Sequence, residues 1–281
     1  MPYLQLCSAD PNVPSPLVPN ETRVFVQSAA NIVLGMAKQL RRKVIAGKLS
    51  HRQAVLMLTK LCLELCGTYT HDPFEPHTGA VMYGVPQRLT CKELNAFLSE
   101  RGSEQGLSLA REVLPYVYDL SGSPQESFMG PALFGPSYLG GLELCEFVAN
   151  KPLELNARER ASINYRTITP DFQLLGYRSV VEYLGEIHSE GDNPRIDHRR
   201  SLDYQTLGVR EFSFWYEDVS TINSFMISAA RIVSVMEQFD GPKARRRFCR
   251  LTNDPAFRER QRVLFAVFRP WLRGLPGSLP A

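Results

Sequence analysis

Apolar positions between Val24 and Ile45 recur at helical spacing, and Arg41, Arg42 and Lys43 crowd the end of that stretch, where cations suit a helix macrodipole. Ser50-His51-Arg52-Gln53 reads as a capping box opening a second helix through Cys66, with Gly67 as its stop. Residues 68–89 lose this periodicity. Pro73 and Pro76 mark turns there, so His71, Asp72 and His77 read as loop residues ahead of metal ligands. Thr90 and Glu93 form a second capping box, for a helix to about Ser99, and Gly102 to Gly106 leads into another helix ending near Tyr118. Residues 8–21, rich in Pro, Asn and Ser, read as an extended arm. Residues 1–120 are thus expected to form an N-terminal arm and a helical lobe.

From residue 121 the period changes. Ser123 can cap a helix with Pro124 in its first turn and Glu126 just inside. Gly140-Gly141 predicts a turn before a strand at Leu142–Val148, and Asn150 to Arg166 reads as a polar link. Between Thr169 and His188, apolar residues alternate through Phe172 and Leu174, Gly176 breaks the run, and Ser179 to Leu184 is rich in Val and aromatic residues. That pattern predicts two short strands and a tight turn, with Pro170 at the strand start, where a missing N–H matters least. Arg195 to Leu207 reads as a helix, and Phe212, Phe214 and Tyr216 alternate as a strand with one buried face. Helices at Val219–Phe239 and roughly Asp254–Leu272 close the chain.

Antiparallel pairing of the two hairpin strands places Asp171 and Glu182 at the same end. Two carboxylates brought together repel each other and need a cation or a proton between them. A hard divalent ion such as Mg2+ takes this kind of oxygen ligand. Without one, Asp171 is a strand-end carboxylate and Glu182 a solvent-facing hairpin residue. Asp197 and Arg200, three apart on one helical face, have the spacing of a structural ion pair.

The whole chain, 281 residues with net charge +3, is long enough for a sizeable core, and its apolar fraction of 44% is that of an ordinary globular protein. No apolar run reaches the length of a membrane span, and the N-terminus lacks a signal-peptide pattern. Cys62 and Cys66 have no second close pair, so the six cysteines give no zinc signature and suggest reduced, cytoplasmic thiols. Charge is uneven. Residues 241–281 carry ten Lys or Arg against two acidic residues, a local net of +8, which leaves −5 for the remainder. Such asymmetry suits an anionic partner, nucleic acid first, unless counter-charges elsewhere in the fold neutralise the face.

The order across residues 121–220 is a helix with Glu126, three strands carrying Asp171 and Glu182, a helix with Asp197-x-x-Arg200, then a strand. It resembles the PD-(D/E)xK nuclease superfamily, and more narrowly a small branch, found among bacterial proteins, that is similar to very-short-patch-repair endonucleases. The resemblance implies an α/β fold with a restriction-endonuclease-like αβββαβ core at 121–220, between the helical lobe and a basic C-terminal helical extension at 221–281. It implies metal-dependent cleavage of a nucleic-acid phosphodiester, DNA first. Asp171 and Glu182 would hold Mg2+ or Mn2+, with Glu126 reaching toward them; the ion would lower the pKa of a bound water and neutralise phosphate charge. His188 would be a general base or a loop histidine. Arg199, Arg200, Arg245, Arg246 and Arg247 are candidate nucleic-acid contacts. One departure stands out: Leu184 occupies the family's lysine position, two residues after Glu182. Arg178 or His188 would have to substitute for it. Otherwise the chain is a catalytically inactive nuclease-fold module that binds nucleic acid or a protein partner in regulation or defence.

Overall fold

The computed structural model describes residues 27–72, 74–75, 80–185 and 193–272, with the side chains of 193–197 and 270–272 outside that description. Ser28 caps α1 (Ala29–Ile45), whose buried face is Ala30, Val33, Leu34, Ala37 and Leu40, the spacing of one helical stripe. The Ser50–Gln53 capping box opens α2 (His51–Leu65), and the Thr90–Glu93 box opens α3 (Cys91–Ser99). α2 is buried on several sides, through Ala54, Val55, Leu58 and Cys62, which makes it the central helix of this lobe. α4 (Leu107–Val113) approaches α1 closely at Gly106, where a Cβ would fall 2.6 Å from the Lys38 nitrogen.

Residues 68–89 are not wholly irregular. Tyr69–His71 (β1) and Val81–Tyr83 (β2) pair antiparallel, in runs too short for an alternating pattern to register in the sequence. His71 Nδ1 lies 3.3 Å from Glu64 Oε2, and Asp72 accepts from the Phe74 amide, so both serve local structure; His77 lies outside the described residues.

The second half is built on α5 (Pro124–Leu133) and a four-stranded sheet of β3 (Phe147–Ala149), β4 (Phe172–Leu174), β5 (Ser179–Tyr183) and β6 (Arg210–Phe214). The spatial order is β3-β4-β5-β6. The first two pairings are antiparallel and β5–β6 is parallel, which requires a crossover that α7 (Asn193–Thr206) supplies. β3 begins later than the expected Leu142. The amides of Leu142, Glu143 and Leu144 instead bond carbonyls of Ala132, Gly135 and Leu133, tying this stretch to the end of α5. The polar link holds one short helix, α6 (Ala157–Ala161).

β6 stops at Phe214, and Tyr216 opens α8 (Tyr216–Ser220) rather than continuing the strand. Thr221 separates α8 from α9 (Ile222–Asp240). The basic stretch forms α10 (Lys243–Asn253), followed by α11 (Pro255–Leu272). One face of the sheet, with Phe172, Val181 and Phe214, joins an apolar core shared with α1, α2, α5, α9 and α11. The other packs Val180 against Tyr204 of α7 and Leu207 just beyond its end. The fold is mixed α/β, dominated by helix, and among the described residues no helix is long and apolar enough to cross a membrane.

Candidate active site: a buried carboxylate cluster

The hairpin register pairs Phe172 with Val181, so the next step outward sets Asp171 opposite Glu182. Opposite residues of an antiparallel pair share a face, here the one covered by α7. The Asp171 amide donates to Glu182 Oε2 at 3.3 Å, and the Tyr183 amide donates to Asp171 Oδ2 at 2.7 Å. Gly176, at φ 86°, makes the turn that sets this register, since left-handed backbone is open to glycine at little cost.

Glu126 arrives from the first turn of α5. Its amide donates to the Ser123 hydroxyl oxygen, and its Oε2 accepts from the Gly122 amide at 2.7 Å. Tyr118 holds the helix from outside by donating to the Glu126 carbonyl at 2.6 Å. That contact needs Gly130, because a Cβ there would meet the Tyr118 ring at 2.5 Å. Glu126 is only 8% exposed and Glu182 2% exposed, so neither is a solvent-facing carboxylate.

Burial, then the nearby Asp171 charge, raises the Glu126 pKa well above the ordinary carboxylate range. The same two causes push Glu182 up to about 8, outweighing the help it receives from Arg200 and Tyr204. Those two helpers come from one face of α7. Arg200 Nη2 lies 2.8 Å from Glu182 Oε1, and the Tyr204 hydroxyl donates to the same oxygen. Arg200 also donates to the Thr169 carbonyl, just before β4. Burial works against the Arg200 charge, but Glu182 and Tyr204 more than offset it and raise its pKa. The ion pair described for Arg200 therefore crosses from α7 to β5; the Asp197 side chain lies outside the described residues.

Other sequence candidates fall elsewhere. Arg178 pairs with Glu159 at 3.1 Å and donates to the Leu207 carbonyl. Leu184 follows β5, its amide donating to the Phe214 carbonyl. His188 is outside the described residues, and Arg199 is exposed on α7. Arg245, Arg246 and Arg247 are exposed on α10, with Arg245 paired to Glu237 and Arg247 to Glu143. Tyr204 was not among the sequence candidates, although its place four residues after Arg200 puts both on one helical face.

Among the described residues, one group of three metal-ligating side chains has ligand atoms all within 4.8 Å of one another: Cys66, Cys91 and Asp119, outside the carboxylate cluster. The three carboxylates spread wider than that, with Arg200 drawn onto Glu182. No family model, curated protein or solved structure matches the chain.

Proposed function

We propose that the chain is a metal-dependent nuclease with a restriction-endonuclease-like core, cleaving phosphodiester bonds of nucleic acid, DNA first. The observation that carries this reading is the neighbourhood of Glu126, Asp171 and Glu182, brought from a helix, a strand entry and a neighbouring strand close enough for the Asp171 charge to act on both buried glutamates. The αβββαβ order, with two antiparallel pairings and a parallel fourth strand, supports it. The donor set suits a hard divalent ion. It offers carboxylate oxygens whose charge is disfavoured first by burial and then by the neighbouring Asp171, and such an ion offsets both.

Asp171 and Glu182 would hold Mg2+ or Mn2+, beside Glu126. A bound ion supplies a Lewis acid that activates water and offsets phosphate charge. Arg200 takes the part left open by Leu184, as the cation already seated in the cluster. Its guanidinium stays charged through the working pH range and can pair with a phosphate oxygen. The test is a nuclease assay over mixed DNA and RNA with Mg2+ or Mn2+ and a chelator control. Asp171→Ala should abolish metal-dependent cleavage. Arg200→Ala should lower it by roughly two to three orders of magnitude, the scale of losing one preorganised charge stabiliser. A wild type that neither cleaves nor binds Mg2+ by calorimetry would sink the proposal.

One observation favours a second reading, a nuclease-fold module that binds without cleaving. Glu182 is already answered by Arg200 and Tyr204, so the folded cluster is partly neutralised by the protein itself. An inert wild type that still binds nucleic acid would establish that reading.

A further inference from the structure

Three separate segments bring Cys66, Cys91 and Asp119 together in the N-terminal half. Cys66 closes α2 and is fully buried; Cys91 is the first residue of α3; Asp119 lies on the strap that leads into α5. One ligand atom from each falls within 4.8 Å of the other two. The carboxylate is held in place. Its Oδ1 accepts from the Cys91 amide at 2.8 Å and from Gln87 Nε2 at 2.7 Å, and the same Gln87 nitrogen donates to the Cys66 carbonyl at 2.9 Å. This leaves Asp119 Oδ2 available to a ligand. Two thiols and an oriented carboxylate are the donors of a soft to borderline divalent ion and not of Mg2+.

We infer that Cys66, Cys91 and Asp119 form a zinc site, with both sulfurs and one carboxylate oxygen as protein ligands and water in the fourth position. Cys91 and Asp119 are only partly buried, which gives that water access. On binding, each thiol gives its proton to solvent and the two thiolates bond the ion. The bound ion ties the end of α2 and the start of α3 to the strap that delivers Glu126. The ion and donor chemistry differ from those of the carboxylate cluster, so the two sites are separable by experiment.

The full chain is purified under reducing conditions with zinc supplied, and bound metal is counted by mass spectrometry of the elements. Close to one zinc per chain is expected, and Asp171→Ala and Cys145→Ser should retain it. Replacement by Co2+ should give a thiolate-to-cobalt charge-transfer band that Cys66→Ser and Cys91→Ser each remove. Gln87→Leu leaves every ligand in place and should weaken zinc by about 10–100-fold, the usual effect of losing a group that orients a ligand. It keeps the idea testable if a cysteine variant fails to fold. A folded wild type that binds neither zinc nor cobalt would overturn the assignment. So would a Cys66–Cys91 disulfide in the isolated chain, or full zinc occupancy in folded Cys91→Ser.

Discussion

Glu126 and Glu182 are carboxyls that the fold makes hard to ionise, and that has a measurable consequence for stability. Glu182 has an ordinary value of 4.5 and a folded value of about 8. Between those pH values the folded chain keeps a proton that the unfolded chain has released. The group's contribution to stability is therefore complete below about 4.5 and is lost as pH rises toward 8. Glu126 shifts in the same direction, from burial and then Asp171. Glu126→Gln keeps the shape and an acceptor for the Gly122 amide while removing one of the crowded charges. With chelator present, the variant should melt above wild type at pH 8, and the gap should close by pH 5. A gap of a few degrees is expected, since chains of this order shift by about 2–4 °C per kcal/mol. Saturating Mg2+ should raise the wild type, by binding only the folded state, and narrow the gap again. A variant that melts below wild type at pH 8 would mean that the carboxylates are not in conflict.

At the scale of elements, Lys60 joins α2 to α11. It is 6% exposed, its Nζ donates to the Val267 carbonyl at 2.8 Å, and it lies 6.0 Å from the centre of the Phe268 ring. Burial lowers its pKa to about 6 against the opposing pull of Glu64. Between about 6 and 10.5 the unfolded chain holds a proton that the folded one lacks, so this group's contribution rises with pH across that window. Lys60→Met fills similar apolar volume without the charge. It should stabilise the chain at pH 6–7, on the order of 1 kcal/mol after losing the hydrogen bond. The gain should vanish toward pH 10, as read by denaturant melts at the two pH values. No gain at pH 6 would mean that the hydrogen bond outweighs the burial penalty. Elements that announce themselves locally were the ones legible in the sequence. Ser50 with Gln53, Thr90 with Glu93, and Ser123 marked three helix starts to within a residue. Within the expected basic helical extension, α10 was not set out as a helix of its own, because its apolar residues, Ala244, Phe248 and Leu251, sit among arginines that dominate the segment. β3 was displaced because Leu142 and Leu144 bond the end of α5, a tertiary choice with no local signal.

Over the whole molecule, legibility follows sequence distance. Asp171 and Glu182 meet through a hairpin register, which strand alternation alone can suggest. Arg200 invited a partner on its own helix, yet the ion pair described for it reaches Glu182 across the fold, and no spacing rule anticipates that. Cys66, Cys91 and Asp119 converge from three segments and carried no motif. The charge imbalance, +8 over residues 241–281 against −5 elsewhere, was legible, but its meaning depends on where the counter-charges lie. Glu237 and Glu143 now account for Arg245 and Arg247, while Arg246 is exposed on the same helix. Exposed pairs of this kind contribute little to stability, so these arginines can exchange a carboxylate for a phosphate at small loss. If α10 tracks a duplex, log affinity should fall linearly with log salt, each phosphate contact adding about 0.9 to the slope. Arg246→Ala should then reduce the slope by about one contact. Replacing Arg245, Arg246 and Arg247 together should reduce it by up to about three, weakening binding alike on all sequences. The triple variant should still melt near wild type, because no α10 side chain is fully buried. Binding by fluorescence anisotropy across a salt series separates the outcomes. A slope unchanged in the triple variant would leave α10 as a helix held in place by Glu143 and Glu237, and would move the search for phosphate contacts to Arg199 and Arg200 on α7.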